Sequence, residues 1–315
     1  MINLVDEKKK VARLSVISNS FLVVSKLFIG IFTGSISIIS EAIHSGLDLV
    51  AALIAFYAVK NSSIPPDDEH KFGHGKIENI SGFIEAILIF AAAIWIIYES
   101  VEKLIHPVNI ENIWLGIAIM FVSSVINIYV SKKLFSVAHK TDSIALKADA
   151  MHLMTDVYTS AGVMFSLFVI WVMEFIFKGN HFHFLDPICA IVVAGLIMKA
   201  AYELTKESFG DLLDRSIGQK DISEIKNIIN NNPEVVSFKN LKTRKGGNIK
   251  FIEFDVMLEK NISLQKAHQI TDDITFKIKK SIANSNVTIH MEPCEDSCDD
   301  NECQTNCSKN NHNPS

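Results

Sequence analysis

The chain has 315 residues, 49% of them hydrophobic and 21% charged, with a formal net charge of −5. Length alone allows one large or two medium soluble domains. The distribution excludes that reading, because the apolar residues concentrate in the first two-thirds, in runs long enough to cross hydrocarbon. No nucleic-acid partner is expected.

A helix needs about 20 apolar residues to span a bilayer core roughly 30 Å thick. Six segments qualify: 12–33, 36–59, 79–104, 110–131, 145–177 and 186–205, the fifth long enough to extend beyond the bilayer. Together they make residues 1–207 a transmembrane domain. Residues 208–293 return to the charge density of a soluble protein, and 294–315 form an acidic, cysteine-rich tail. Lys8, Lys9, Lys10 and Arg13 precede the first span. Lys60, Lys71 and Lys76 lie between the second and third, and Lys132, Lys133, Lys140 and Lys147 between the fourth and fifth. The positive-inside rule then puts both termini in the cytoplasm, which agrees with six spans. The basic N-terminal stretch has no small-residue cleavage pattern and reads as an uncleaved span.

The second span contains His44-Ser45-Gly46-Leu47-Asp48 and the fifth His152-Leu153-Met154-Thr155-Asp156. Side chains at i and i+4 project from one helix face. Each helix thus offers one imidazole nitrogen and one carboxylate oxygen. Two such helices face to face supply two nitrogens and two oxygens, a tetrahedral set that suits zinc. Charged groups in hydrocarbon cost about 2.5–3.5 kcal/mol each, so burying two such pairs for packing alone is a poor bargain. Glu41 and Asp149, one turn from the pairs, either relay ions or sit at the interface. Ser45, Gly46, Ser160 and Gly162 suit close helix packing. Asn19, Ser123, Ser124 and Asn127 are read as packing residues.

Between the second and third spans, Pro65-Pro66 ends a helix and Gly73 and Gly75 bracket a turn. Asp67, Asp68, His70 and His74 crowd within eight positions. They read either as a metal site or as a solvated acidic loop.

These motifs resemble the cation diffusion facilitator family. The resemblance rests on His-Ser-Gly-Leu-Asp in the second span, Asp-Asp-Glu-His-Lys-Phe-Gly-His-Gly-Lys in the loop and Ala-Asp-Ala-Met-His-Leu-Met-Thr-Asp in the fifth. It covers about residues 12–293. It implies a homodimeric exporter that exchanges zinc, cadmium, iron, cobalt or manganese for protons, and the short loops without a long histidine-rich stretch point to the plasma membrane. By resemblance His44, Asp48, His152 and Asp156 form the transport site, in the version similar to zinc-preferring members. Asp67, His70 and His74 match the family's loop metal site, and Lys76 with Asp214 a salt bridge linking its two halves. The metals enter as substrate and regulatory ligand, and no separate cofactor is implied.

Downstream, 219–231 reads as a helix, 234–244 and 249–259 as strands joined by a hairpin at Gly246-Gly247, 263–284 as a helix and 286–292 as a strand. This αββαβ order resembles the family's metallochaperone-like (ferredoxin-like) cytoplasmic domain. The resemblance puts Asp255, His268, His290 and Glu292 on its regulatory metal positions. Where relatives carry a further histidine this chain has Lys239, which cannot ligate while protonated. In the tail, Cys294, Cys298, Cys303 and Cys307 either hold a metal as thiolates or stay unpaired. Cys189, inside the sixth span, is read as packing.

Free imidazole titrates near pH ~6.5, and a ligand must lose its proton to bind metal, so exchange of protons for metal follows from the ligand chemistry. A membrane metalloenzyme is the first rival reading, but a four-ligand shell leaves no position for water and no His-Glu-x-x-His motif occurs. A metal sensor or storage protein is the second, and it has no use for charged pairs in two spans.

Overall fold

The computed structural model describes residues 2–34, 36–105, 113–176 and 184–294. Six long helices come first: α1 (Ile2–Thr33), α2 (Ile36–Ser62), α3 (Lys76–Ile105), α4 (Ile113–Thr141), α5 (Ile144–Ile176) and α6 (Leu185–Leu212). Among the described residues, α1, α2, α3, α4 and α6 contain stretches long and apolar enough to cross a membrane. The 33-residue α5 carries Lys147, Asp149 and Asp156 in its first half.

Polarity in this bundle is inverted relative to a soluble protein. Phe21, Phe28, Phe32, Leu47, Trp95 and Leu196 face outward, whereas Ser15, Asn19, Asp48, Glu85, Asp149 and His152 are buried. Outward apolar side chains on every face suit a hydrocarbon solvent, and buried charge marks a functional interior. α1 packs along α2, α4 along α5, and α3 against α5. Gly162 of α5 lies so close to α6 that a Cβ would come within 2.8 Å of Val193. At Gly46 a Cβ would meet nothing within 4 Å, so this glycine does not provide the close helix approach expected of it.

Two boundaries differ most from the hydropathy pattern. α1 begins ten residues before the apolar run at 12, and α4 continues to Thr141 instead of ending at 131. Lysine, arginine and glutamate are good helix formers, so the helices continue past their apolar portions. The expected loop between the fourth and fifth spans is therefore a tight turn. Asp142 takes a left-handed φ of 52°, and the Ser143 hydroxyl accepts from the Leu146 N–H at 3.5 Å to cap α5.

A buried ionic hub ties this end of the bundle together. Glu78 of α3 pairs with Lys8 of α1 and accepts from Ser143, and it also accepts from Ser62 of α2 at 2.6 Å. Lys8 and Glu78 are almost wholly buried. Three helices and the α4–α5 turn thus converge on one carboxylate.

The chain divides into two compact units between Gly210 and Asp211. The second contains α7 (Gln219–Asn230), β1 (Ser237–Gly246), β2 (Ile249–Leu258), α8 (Leu264–Ser281) and β3 (Ser285–Pro293). This is the αββαβ order read from the periodicities. β1 and β2 form an antiparallel hairpin that turns at Gly247, whose φ of +63° favours glycine. β3 lies parallel to β2, giving the order β1-β2-β3. Ile252, Phe254, Val256 and Leu258 alternate onto the face covered by Ile225, Ile229, Ile270, Ile274 and Ile278 of the two helices. The opposite face presents Lys239, Asp255, His290 and Glu292, with Lys239, Asp255 and His290 in register across the three strands.

Candidate metal centre

α2 and α5 bring both His-x-x-x-Asp pairs into one place. His152 Nε2 lies 3.1 Å from Asp48 Oδ1, and His44 Nε2 lies 3.9 Å from Asp156 Oδ1. Each imidazole thus faces the carboxylate of the other helix, across the helix pair. His44, Asp48 and Asp156 each offer an atom within 4.8 Å of the others, a spacing that one ion can bridge. Asp48 and His152 are buried, Asp156 is partly covered, and the His44 side chain is 52% exposed. The His152 Nδ1 atom is buried without a hydrogen-bond partner. His152 stands outside that group of three and meets it through Asp48, and one imidazole with two carboxylates suits a borderline cation such as zinc.

Asn127 of α4 is more than a packing residue. Its Nδ2 donates to Asp156 Oδ2 at 3.3 Å, orienting that carboxylate. A cavity of about 70 Å³ adjoins the pairs, and Asn127, Asp48 and Asp156 line it together with Lys26. Lys26 of α1 was not singled out by the motif reading. Its ammonium donates to Glu41 Oε2 at 3.0 Å and to Ser45 Oγ at 2.8 Å. The signal was present, since a lysine halfway along an apolar run is a functional suspect on cost alone. On the other side of the pairs, Asp149 accepts from Ser15 at 3.1 Å, and Glu85 of α3 accepts from Ser81 at 3.1 Å. Both carboxylates are fully buried, and each has one oxygen without a hydrogen-bond partner. Glu85 was also missed, and the same cost argument would have found it.

The α2–α3 loop gathers Asp67, His70 and His74 into a second group within ligating distance. Asp67 Oδ1 accepts from the His70 N–H at 2.7 Å and the Glu69 N–H at 3.1 Å, and Gly73, with φ +80°, turns the chain back. Imidazole Nδ1 of His70 is 3.6 Å and Nε2 of His74 3.4 Å from the Asp67 carboxylate, and the two rings lie 4.4 Å apart. The His70 backbone N–H, ahead of the nearby imidazoles, holds the Asp67 carboxyl below its ordinary value. Asp68 stays outside the group and pairs with Lys71 at 2.7 Å.

The sequence profile of the cation efflux transmembrane domain matches residues 12–213, and that of the cation efflux protein cytoplasmic domain matches residues 217–294. The chain belongs to the cation efflux, or cation diffusion facilitator, family. This bears out the resemblance carried by the three motifs, and it makes the protein a multi-span membrane transporter of cations. Among its relatives, an uncharacterised transporter of Synechocystis is 34% identical over 265 residues, or 84% of this chain and 83% of that one. Protein p34 of Rickettsia prowazekii is 32% identical over 90% of this chain and 92% of its own. The cation-efflux pump FieF of Salmonella newport is 30% identical over 87% of this chain and 89% of its own.

In the cytoplasmic domain of this cation efflux protein, the four residues assigned to a regulatory site are not gathered into one ligand set within the chain. Lys239 reaches Glu292 at 2.7 Å, Asn240 donates to Asp255 at 2.6 Å, and His268 faces Asp272 of its own helix at 3.5 Å. His290 stands 3.8 Å from Glu292. A lysine ammonium on the carboxylate competes with any metal for it. Asp214 takes Arg244 at 3.4 Å within the same unit, and Lys76 opens α3 in the other. Cys294 follows β3, and its backbone N–H donates to the Leu258 carbonyl at 2.8 Å. Cys298, Cys303 and Cys307 lie outside the described residues. Cys189 is partly buried as a free thiol in α6.

Proposed function

We propose that this family member exports zinc in preference to other divalent metals and exchanges it for protons at the four-ligand site of His44, Asp48, His152 and Asp156. The observation that carries this reading is the crossed pairing of α2 and α5, with Asp48 against His152 and His44 against Asp156. Two nitrogens and two oxygens favour zinc over the harder manganese, which takes a larger oxygen shell. All four ligands bind metal only after losing their protons, so loading a metal releases protons and protonation releases the metal.

The protein acts as a homodimer in the plasma membrane, with both termini cytoplasmic. The lysines at the start of α1, in the α2–α3 loop and around the α4–α5 turn support that orientation. The sheet face bearing Asp255, His290 and Glu292, uncovered by the two helices of its own domain, supports pairing through the cytoplasmic domain. Asp67, His70 and His74 form a loop site that captures metal on the cytoplasmic side.

Purified protein in sealed proteoliposomes tests the reading. With an imposed pH difference, zinc uptake is measured in competition with cadmium, iron, cobalt and manganese. Zinc competes best, uptake stops when the pH difference is collapsed, and Asp48→Ala or Asp156→Ala abolishes it. Normal zinc flux in either variant refutes the site. Flux indifferent to the pH difference refutes the antiport.

A further inference from the structure

The cavity beside the metal ligands has a direction. α1 and α2 are joined at one end of the bundle by the turn at Gly34, and α4 and α5 at the other by Asp142. Starting from the level of Asp48 and Asp156, the lining residues Ser45, His44, Glu41 and Lys26 all lie toward the α1–α2 end. Exposure follows the same gradient. The side chains of His44 and Glu41 are 52% and 44% exposed, whereas Asp149, Ser15 and Glu85 on the opposite side are fully buried. Among the described residues, the site is therefore open toward the α1–α2 end and closed at the other.

Lys26 sits in that opening. It is 7% exposed, and among the described residues it is the one lysine or arginine that lines the cavity. Its ammonium is held between Glu41 and Ser45, the residue next to His44. A lysine buried in an apolar run carries a cost that function normally repays, and a positive charge beside a cation site repels the cargo. Glu41 partly offsets that charge, and its own exposure leaves the offset incomplete.

We propose that Lys26 determines how readily this transporter releases its metal. It is a fixed positive charge on the open side of the ligand set that weakens the hold on a bound cation, with Glu41 as the counter-charge that tunes it. The inference rests on the four-ligand reading above. It assigns Lys26 as a positioning and specificity charge, since no ligand atom comes from it. The alternative is that Lys26 and Glu41 merely fasten α1 to α2. The two ideas differ in sign. Removing either half of a fastener loosens the site in the same direction. Removing the charges of a tuning pair moves metal affinity in opposite directions.

The experiment titrates full-length purified Lys26→Gln and Glu41→Gln with Zn²⁺ by calorimetry, and measures their zinc flux in proteoliposomes. The signal abolished by Asp48→Ala defines transport-site binding. Lys26→Gln is expected to bind zinc tighter by on the order of tenfold, with kcat and KM falling together because release slows. Glu41→Gln is expected to bind more weakly by on the order of tenfold. A shift of both variants in the same direction, or no change in Lys26→Gln, overturns the proposal. Should Lys26→Gln fail to fold, Lys26→Met takes its place: tighter zinc binding supports the proposal, and equal or weaker binding overturns it. If Asp48→Ala keeps full zinc binding, the four-ligand site falls, and this inference falls with it.

Discussion

At the residue scale, charge state follows from local donors. The Asp67 carboxyl is held below its ordinary value first by the His70 backbone N–H. A carboxyl depressed in this way contributes what it does in full above its ordinary value of about 4, and loses it only as pH falls through the lower one. Asp67 therefore stays ionised between pH 7 and pH 5. A metal held in the loop by imidazole nitrogens is released when protons take those nitrogens. Cobalt absorption of the native protein should fall on acidification across that window, and Asp67→Asn should weaken binding at every pH in it. A native loop signal unchanged down to pH 5 would contradict the imidazole ligands. A second residue-scale prediction concerns Lys239, whose ammonium sits on Glu292. Lys239→His removes that competitor and adds a ligand next to Asp255 and His290. The variant should bind more zinc per chain than the native protein when metal content is assayed after dialysis, and an unchanged content would count against it.

Elements are held to one another by buried polar contacts as much as by apolar packing. Glu78 joins α3 to Lys8 of α1, Ser62 of α2 and the Ser143 turn, out of contact with water. Removing one partner of a buried ion pair leaves the other charge uncompensated, which costs about 3–5 kcal/mol. Glu78→Gln should thus destabilise the helical unit by that order, seen as a lower thermal midpoint in detergent. A midpoint equal to native would show that the hub carries little. The helices also explain the missing loop. Lys132, Lys133 and Lys140 sit on α4 rather than in a connection, because their side chains prefer helix and because Ser143 caps the next one at once. Hydropathy marks where a helix leaves hydrocarbon. It does not mark where the helix ends.

For the whole molecule, the transport proposal makes the two units separable in effect. The four proposed ligands all belong to the helical unit, so deleting residues 294–315 should leave zinc flux intact and alter its metal threshold. Loss of flux in the truncated protein would place the tail in the transport machinery. Much of this organisation was readable in the chain: long apolar runs can only be spans, and alternation with a Gly-Gly turn can only be a hairpin packed on helices. The ligands were readable too, since His44 and Asp48, like His152 and Asp156, share a helix face by local periodicity. Local periodicity says nothing about which groups from different helices meet. Only the packed bundle set Asp48 against His152 rather than His44, brought Asn127 onto Asp156, placed Lys26 in the open side of the cavity and put Lys239 on Glu292. Those contacts join residues distant in sequence, and they depend on how helices rotate and strands register once the whole chain is folded.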